Sequence, residues 1–281
     1  MMNLKTDILL LLKGGAIGVA NIIPGVSGGT IAVVLGIYKY LIEAISNIAS
    51  DRDKRKEYFI FLMKIALGAV IVIFLSAKLM KFLLENYNIY TNLAFVGLIA
   101  GSIPSIYKSH ADMKLTFPTI LSFIVGASII LFFEFAFPQT EKREGVQVVF
   151  YLTFNSGLLL LIAGFFAGGS MIVPGISGSF IMLLMGQYYI VTSCVADRQV
   201  LQLMVIALGI ILGVVIFAKL INFLLNKFPK ETFYFILGLV VASLYSIYPG
   251  MPGKMLEIII AISITAICFA ISFIIGNTER N

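Results

Sequence analysis

The chain is a succession of long apolar runs separated by short polar joints. Ten runs stand out, over residues 7–23, 28–48, 58–84, 90–107, 116–137, 148–173, 176–195, 200–225, 232–248 and 254–276. Each is nearly free of charge and reaches about 17 residues or more, the length a helix needs to cross a hydrocarbon core of roughly 30 Å. The ~10-residue alternating segments of a membrane β-barrel are absent. The pattern predicts an all-α, polytopic membrane protein.

Most joints are charged or contain proline: 51–57, 108–114, 138–144, 196–198, 226–231 and 249–254. Two joints differ. Pro24 to Gly29 and Pro174 to Ser179 carry no charge at all. An uncharged Pro/Gly break makes a poor water-facing loop and reads as backbone folded inside the membrane domain, where protein or a wet cavity must satisfy it. The first run follows Lys5 and resembles a secretory leader, but Lys13 interrupts it and a copy recurs in the second half, which a processed leader would not have.

That copy is the strongest signal in the chain. With a shift of 150, Leu11 to Tyr38 lies over Leu161 to Tyr188 with 11 of 28 positions identical, prolines, glycines and a serine in order. With a shift of 141, Ala66 to Tyr87 lies over Ala207 to Phe228 with nine of 22 identical, centred on Ala77-Lys78-Leu79 over Ala218-Lys219-Leu220. Shared apolar composition would scatter Leu and Ile matches; it would not align Pro, Gly, Ser and Lys. The chain therefore reads as two repeats, 1–144 and 145–281, forming one membrane domain. Each half has five apolar runs, or three spans if its first two form a re-entrant hairpin. Either number is odd, so the second repeat enters the membrane from the opposite face and the repeats are inverted. Lys and Arg number ten on the side of residues 51–57 and four on the other, which places both termini in the cytoplasm.

The two uncharged breaks are the first candidate site. Pro24 and Pro174 stop the incoming helix, and Gly25 and Gly175 permit the reversal. Ser27 and Ser177 can cap the next helix. Its first amides, near Gly28, Gly29 and Thr30 or Gly178, Ser179 and Phe180, would then point at the tip and favour an anion. The run before the first tip is about 26 Å long at about 1.5 Å per residue, short enough to leave the tip buried. Paired interrupted helices in two halves point to a transporter binding site. A plain reading, as kinks with glycine packing, suits one break better than two related ones.

Lys78 and Lys219 are the second candidate, matched between the repeats and about 30 Å into their runs. They read either as headgroup ligands or as anchors reaching for the interface. Glu43 and Glu134 are the acids well inside apolar runs and so the candidates for coupling transport to a proton or sodium ion. Lys13 and Lys39 lack a matched partner, and Lys64 and Lys81 read as interfacial. Gly68, Gly97, Gly101, Gly209, Gly213 and Gly238 read as helix contacts.

Composition narrows the function. The 281 residues are 60% hydrophobic and 12% charged, with a mean hydropathy of +1.03, which excludes a soluble or a disordered chain. One histidine and two cysteines offer no metal set, disulfide framework or cofactor site, and no basic tract suggests nucleic acid. An enzyme such as a lipid phosphatase would need a clustered nucleophile, base or metal set that the sequence lacks.

Pro24-Gly25-Val26-Ser27-Gly28-Gly29-Thr30 with Gly36-Ile37-Tyr38, and Pro174-Gly175-Ile176-Ser177-Gly178-Ser179-Phe180 with Gly186-Gln187-Tyr188, resemble the signature pair of the PopT-type polyprenyl-phosphate transporters. The resemblance extends over nearly the whole chain. It implies a flippase of the cytoplasmic (inner) membrane that returns undecaprenyl phosphate or a related carrier lipid to the cytoplasmic leaflet for reuse in envelope synthesis. Asn21 departs from the Asp expected at its position. A transporter of a small soluble anion, coupled to an ion, is the alternative reading of the same tips.

Overall fold

The computed structural model describes residues 4–22, 27–108, 113–136 and 153–278. Among them are twelve helices and no strand: α1 (Leu4–Ile22), α2 (Gly28–Val34), α3 (Tyr38–Asn47), α4 (Arg55–Asn86), α5 (Asn88–Tyr107), α6 (Phe117–Ala136), α7 (Phe154–Ile172), α8 (Gly178–Leu184), α9 (Tyr188–Ala196), α10 (Val200–Lys227), α11 (Pro229–Ile247) and α12 (Met255–Thr278). Local chemistry sets several boundaries. Asp51 accepts from the amides of Asp53 and Lys54 just ahead of α4, Thr153 and Ser156 form a capping box at α7, and Pro229 opens α11.

The helices fall into two series of six in the same order, and their ends follow the sequence match. α1 and α7 end at Ile22 and Ile172, α2 and α8 begin at Gly28 and Gly178, and α3 and α9 begin at Tyr38 and Tyr188. α4 and α10 end at Asn86 and Lys227, and α5 and α11 begin at Asn88 and Pro229. Packing follows the same scheme. α1 lies along α4 and α7 along α10, whereas α6 lies along α11 and α12 along α5, so the last helix of each series packs on the other series. Glycine makes these contacts close. A methyl at Gly68 would strike the carbonyl of Leu11, and one at the matching Gly209 would strike that of Leu161. Gly97 and Gly101 meet α12, and Gly238 meets α6, in the same manner. Small residues here let backbones approach where lipid provides no hydrophobic drive.

Among the described residues, seven helices are long and apolar enough to cross a membrane: the first part of α4, then α5, α6, α7, α10, α11 and α12. Phe74, Leu75, Phe132, Leu201 and Met204 lie exposed on their outer faces, while α11 is the most buried of the seven. The chain is a multi-pass membrane protein.

Two apolar runs are not the single helices that their length suggests. Run 28–48 is α2 and α3, and run 176–195 is α8 and α9, the second pair bent by 114°. The cause is one glycine in each. Gly36 and Gly186 adopt φ of +69° and +68°. The amides of Gly36 and Ile37 turn back to Val33 and Ala32, and those of Gly186 and Gln187 to Leu183 and Met182. This is the left-handed glycine stop that ends many helices. The boundary between residues 144 and 145 lies outside the described residues.

Candidate functional site

Pro24 and Gly25 of the first break lie outside the described residues; Ser27 onward and the whole of the second break can be placed. Ser27 is buried at 2% exposure, caps α2 by accepting from the Gly29 amide at 3.2 Å, and donates to the carbonyl of Val173 at 3.2 Å. Thr30, likewise buried, accepts from the Gly175 amide at 2.8 Å. Gly29 lies so near the carbonyl of Ile172 that a methyl there would collide with it. The two breaks, far apart in sequence, thus meet each other. Gly28, Gly29 and Thr30 are all buried at the junction.

The second break is built differently. Pro174 is buried, and Gly175 holds φ of +86° with the carbonyl of Leu239 2.9 Å from where a β-carbon would stand. Ser177 precedes α8 but does not cap it, because its hydroxyl pairs with that of Ser179 at 2.8 Å. No residue of α8 is buried. Gly175, Ile176, Ser177 and Phe180 instead line a narrow cleft of about 30 Å³ whose other wall is Ile130, Phe133, Glu134 and Ser246. The Ser246 hydroxyl donates to the carboxylate of Glu134. Of the two acids marked from sequence, Glu134 therefore stands at a tip. Glu43 does not. It receives the Tyr58 hydroxyl at 2.8 Å and faces Lys54 at 3.8 Å, fastening α3 to the start of α4.

Among the described residues, neither Lys78 nor Lys219 reaches the second tip. Both side chains are exposed on the outer faces of α4 and α10, among exposed Phe74, Leu75 and Leu79 in one case and Ile216, Leu220 and Phe223 in the other. A periodicity argument could not reveal this, because on such helices both the lipid face and the core face are apolar. The side chain of Lys81 lies outside the described residues.

Two charged contacts escaped the sequence. Lys64, read as interfacial, pairs with Asp7 and ties α4 to α1, both side chains under one-fifth exposed. Lys13 is buried at 8% exposure, and its ammonium donates at 3.3 Å to the carbonyl of Leu35, which closes the C-terminal end of α2. A cation at a helix C-terminus meets unpaired carbonyls and the negative end of the helix dipole. The sequence signal for this contact is a lysine inside an apolar run, which does not name its partner.

A separate, apolar cleft of about 650 Å³ lies between the end of α4, the start of α5 and α12, lined by Met80, Leu83, Phe95, Ile260 and Ile264 among others. It presents little that could hold a charged group.

The chain has known relatives. A family model described as VCA0040-like, undecaprenyl phosphate translocase-like, matches residues 17–263. The chain is 32% identical over 274 residues to the polyprenyl-phosphate transporter of Staphylococcus aureus (strain NCTC 8325 / PS 47), covering 95% of each chain. It is 34% identical over 249 residues to the polyprenyl-phosphate transporter of Vibrio cholerae serotype O1, covering 85% of this chain and 76% of that relative. No solved structure matches it.

Proposed function

The chain belongs to the undecaprenyl phosphate translocase-like family, and on that premise we propose that it is a flippase for polyprenyl phosphate, returning the carrier lipid to the cytoplasmic leaflet for reuse. In this reading the protein lies in the cytoplasmic membrane with both termini in the cytoplasm. Its halves, 1–144 and 145–281, are inverted repeats, each with a re-entrant Pro-Gly hairpin. The single observation that carries the proposal is the junction of the two breaks. Ser27 and Thr30 reach Val173 and Gly175 across it, and the second break opens on a cleft.

Such a junction suits alternating access. Closed, it separates the cleft from the far side of the protein. Opened, it would free the hydroxyls of Ser27 and Thr30 and the Gly175 amide, near those of Ser177 and Ser179, for a phosphate headgroup. The prenyl chain would stay in lipid, so the headgroup alone would need carrying. That headgroup bears a charge of about −1.5 to −2 at pH 7, and an unpaired charge in the core is costly. An ionised Glu134 beside Ser177 would add repulsion. A coupling ion, proton or sodium, entering with the headgroup would offset that repulsion, which makes Glu134 the candidate carrier.

Vesicles holding the purified protein test this directly. Polyprenyl phosphate should cross faster with the protein present, and inorganic phosphate should not. Acidifying the side where the Glu134 cleft opens, or raising sodium there, should drive the lipid toward the other leaflet, and Glu134→Gln should remove that response while lipid binding persists. Transport of inorganic phosphate at a rate equal to that of the lipid would replace the proposal with the soluble-anion reading.

A further inference from the structure

The second tip and its acid lie near the C-terminal end of α11. At the N-terminal end of the same helix, about 20 Å away at about 1.5 Å per residue from Phe233 to Ser246, lies another cleft of about 240 Å³. Its polar lining is Tyr38, Lys39, Ser105 and Lys108. Tyr38 is 5% exposed, and its buried hydroxyl has no hydrogen-bond partner among the described residues. Buried hydroxyls almost always find a partner, so an orphan in a cleft wall asks for one.

The two clefts are matched in position and opposite in charge. Ser105 and Ser246 are counterparts in the sequence match of the two halves. Ser246 donates to Glu134, whereas Ser105 donates to the backbone carbonyl of Gly276 at 3.0 Å, where no acid stands. In the other direction, the positions matching Lys39 and Lys108 are Tyr189 and Pro249. One cleft thus carries a single acid and the other two cations with no acid among its lining residues. Neither lysine is in an ion pair among the described residues. Two ammonium groups and an unpartnered phenol around this space form a set of donors for a tetrahedral anion.

We propose that this cleft is a second anion subsite, separate from the breaks, that binds a phosphate monoester group. That the monoester is a lipid headgroup rests on the transporter reading above; the affinity for phosphate does not. By the same reading the cleft lies on the cytoplasmic side, beside the basic joint 51–57. It receives the headgroup after the junction opens, and its charge draws the lipid away from the acidic cleft.

Equilibrium binding of two probes, inorganic phosphate and farnesyl phosphate, to the purified full-length protein tests the subsite. Lys39→Gln with Lys108→Gln should weaken binding by about tenfold or more, the scale of hydrogen bonds to charged groups, and Tyr38→Phe by about threefold. Lys39→Arg with Lys108→Arg should keep most of the affinity, which separates charge from packing. Raised salt should weaken wild type more than the glutamine variant. Loss with both probes, or with farnesyl phosphate alone, assigns the cleft to the headgroup. Loss with inorganic phosphate alone assigns it to the free ion. Unchanged affinity for both probes in a glutamine variant that melts with wild type overturns the subsite, as does wild type binding neither probe. Lipid flux through the same variant distinguishes the failures: intact flux with unchanged binding removes only the subsite, whereas absence of flux in wild type removes the transporter reading.

Discussion

Residues 11–38 and 161–188 share a motif and a helix order, yet α2 of the first copy is buried and α8 of the second is not. In the first, Ser27 caps α2, six of the seven residues of α2 are buried, and Lys13 holds its far end. In the second, Ser177 leaves α8 uncapped, no residue of α8 is buried, and the tip faces a cleft with an acid in it. α2 packs on α7 and α12 of the other series as well as on α1, α3 and α5 of its own, while α8 packs chiefly on α7 and α9. Similar sequences in unlike surroundings are what a two-state rocking domain requires at any one moment, since the copies must exchange surroundings as it turns over. Part of the asymmetry is permanent, however. Thr30 is matched by Phe180 and Lys13 by Ala163. Glu134 meets Ser246 where Gly276 meets Ser105. Under the proposed alternating access, the two states would therefore differ in energy and in chemistry.

The sharpest way to break the comparison is at one matched pair. Gly29 touches the backbone of Ile172, whereas Ser179, at the same place in the second copy, is exposed. Gly29→Leu should force the two breaks apart and cost about 1–3 kcal/mol or more, as overpacking against backbone does. Ser179→Leu should leave the melting temperature near wild type, because the side chain at that position is exposed. If the copies exchange surroundings, Ser179→Leu should still abolish lipid flux by blocking the state in which α8 is the buried one. A Ser179→Leu protein with full flux would mean that the second copy never takes the place of the first.

Lys13 sharpens the same comparison with a smaller effect. Its ammonium serves the end of α2, and Ala163 gives α8 no such support. Lys13→Ala should cost about 2 kcal/mol, through the lost charged hydrogen bond and the space left behind. Lys13→Met keeps most of the volume and removes the charge. If Met restores full thermal stability, the lysine acts by filling space and the carbonyl of Leu35 does not depend on it.

Much of this was legible before any helix was placed. The apolar runs marked the helices, and the aligned Pro-Gly-Ser segments marked the breaks. The glycines expected at helix contacts are found there, at Gly68, Gly97, Gly101, Gly209, Gly213 and Gly238. What failed has physical causes. Gly36 and Gly186 stop helices from inside apolar runs, and a single left-handed residue leaves no trace in hydrophobic periodicity. The pairing of Glu134 with Ser246, and of Lys13 with Leu35, joins residues whose neighbours depend on how helices cross. Nor could the sequence say which break is buried, because the motif is common to both. The depth of a lysine along a helix was readable from the constant helical rise, but its direction around the helix was not.

That last gap sets the smallest prediction. Lys78 and Lys219 are matched in sequence, and each lies eight residues before the end of its helix, at Asn86 and Lys227. Such a distance is about 12 Å, a depth from which a flexible lysine can bend its ammonium toward the headgroup layer while its stem covers apolar surface. Both side chains are exposed among residues that face lipid, and neither lines the cleft at the second tip or the basic cleft beside Lys39. Anchors of this kind contribute little to a folded state, and exposed substitutions fall within about 0.5 kcal/mol. Lys78→Ala and Lys219→Ala should therefore melt with wild type and carry lipid within about twofold of its rate, the change that about 0.4 kcal/mol makes. The contrast is with Lys39 and Lys108, where loss of the same charge should weaken phosphate binding. A large fall in flux for Lys78→Ala or Lys219→Ala, with stability unchanged, would return these two lysines to the headgroup path and require α4 and α10 to rotate during transport.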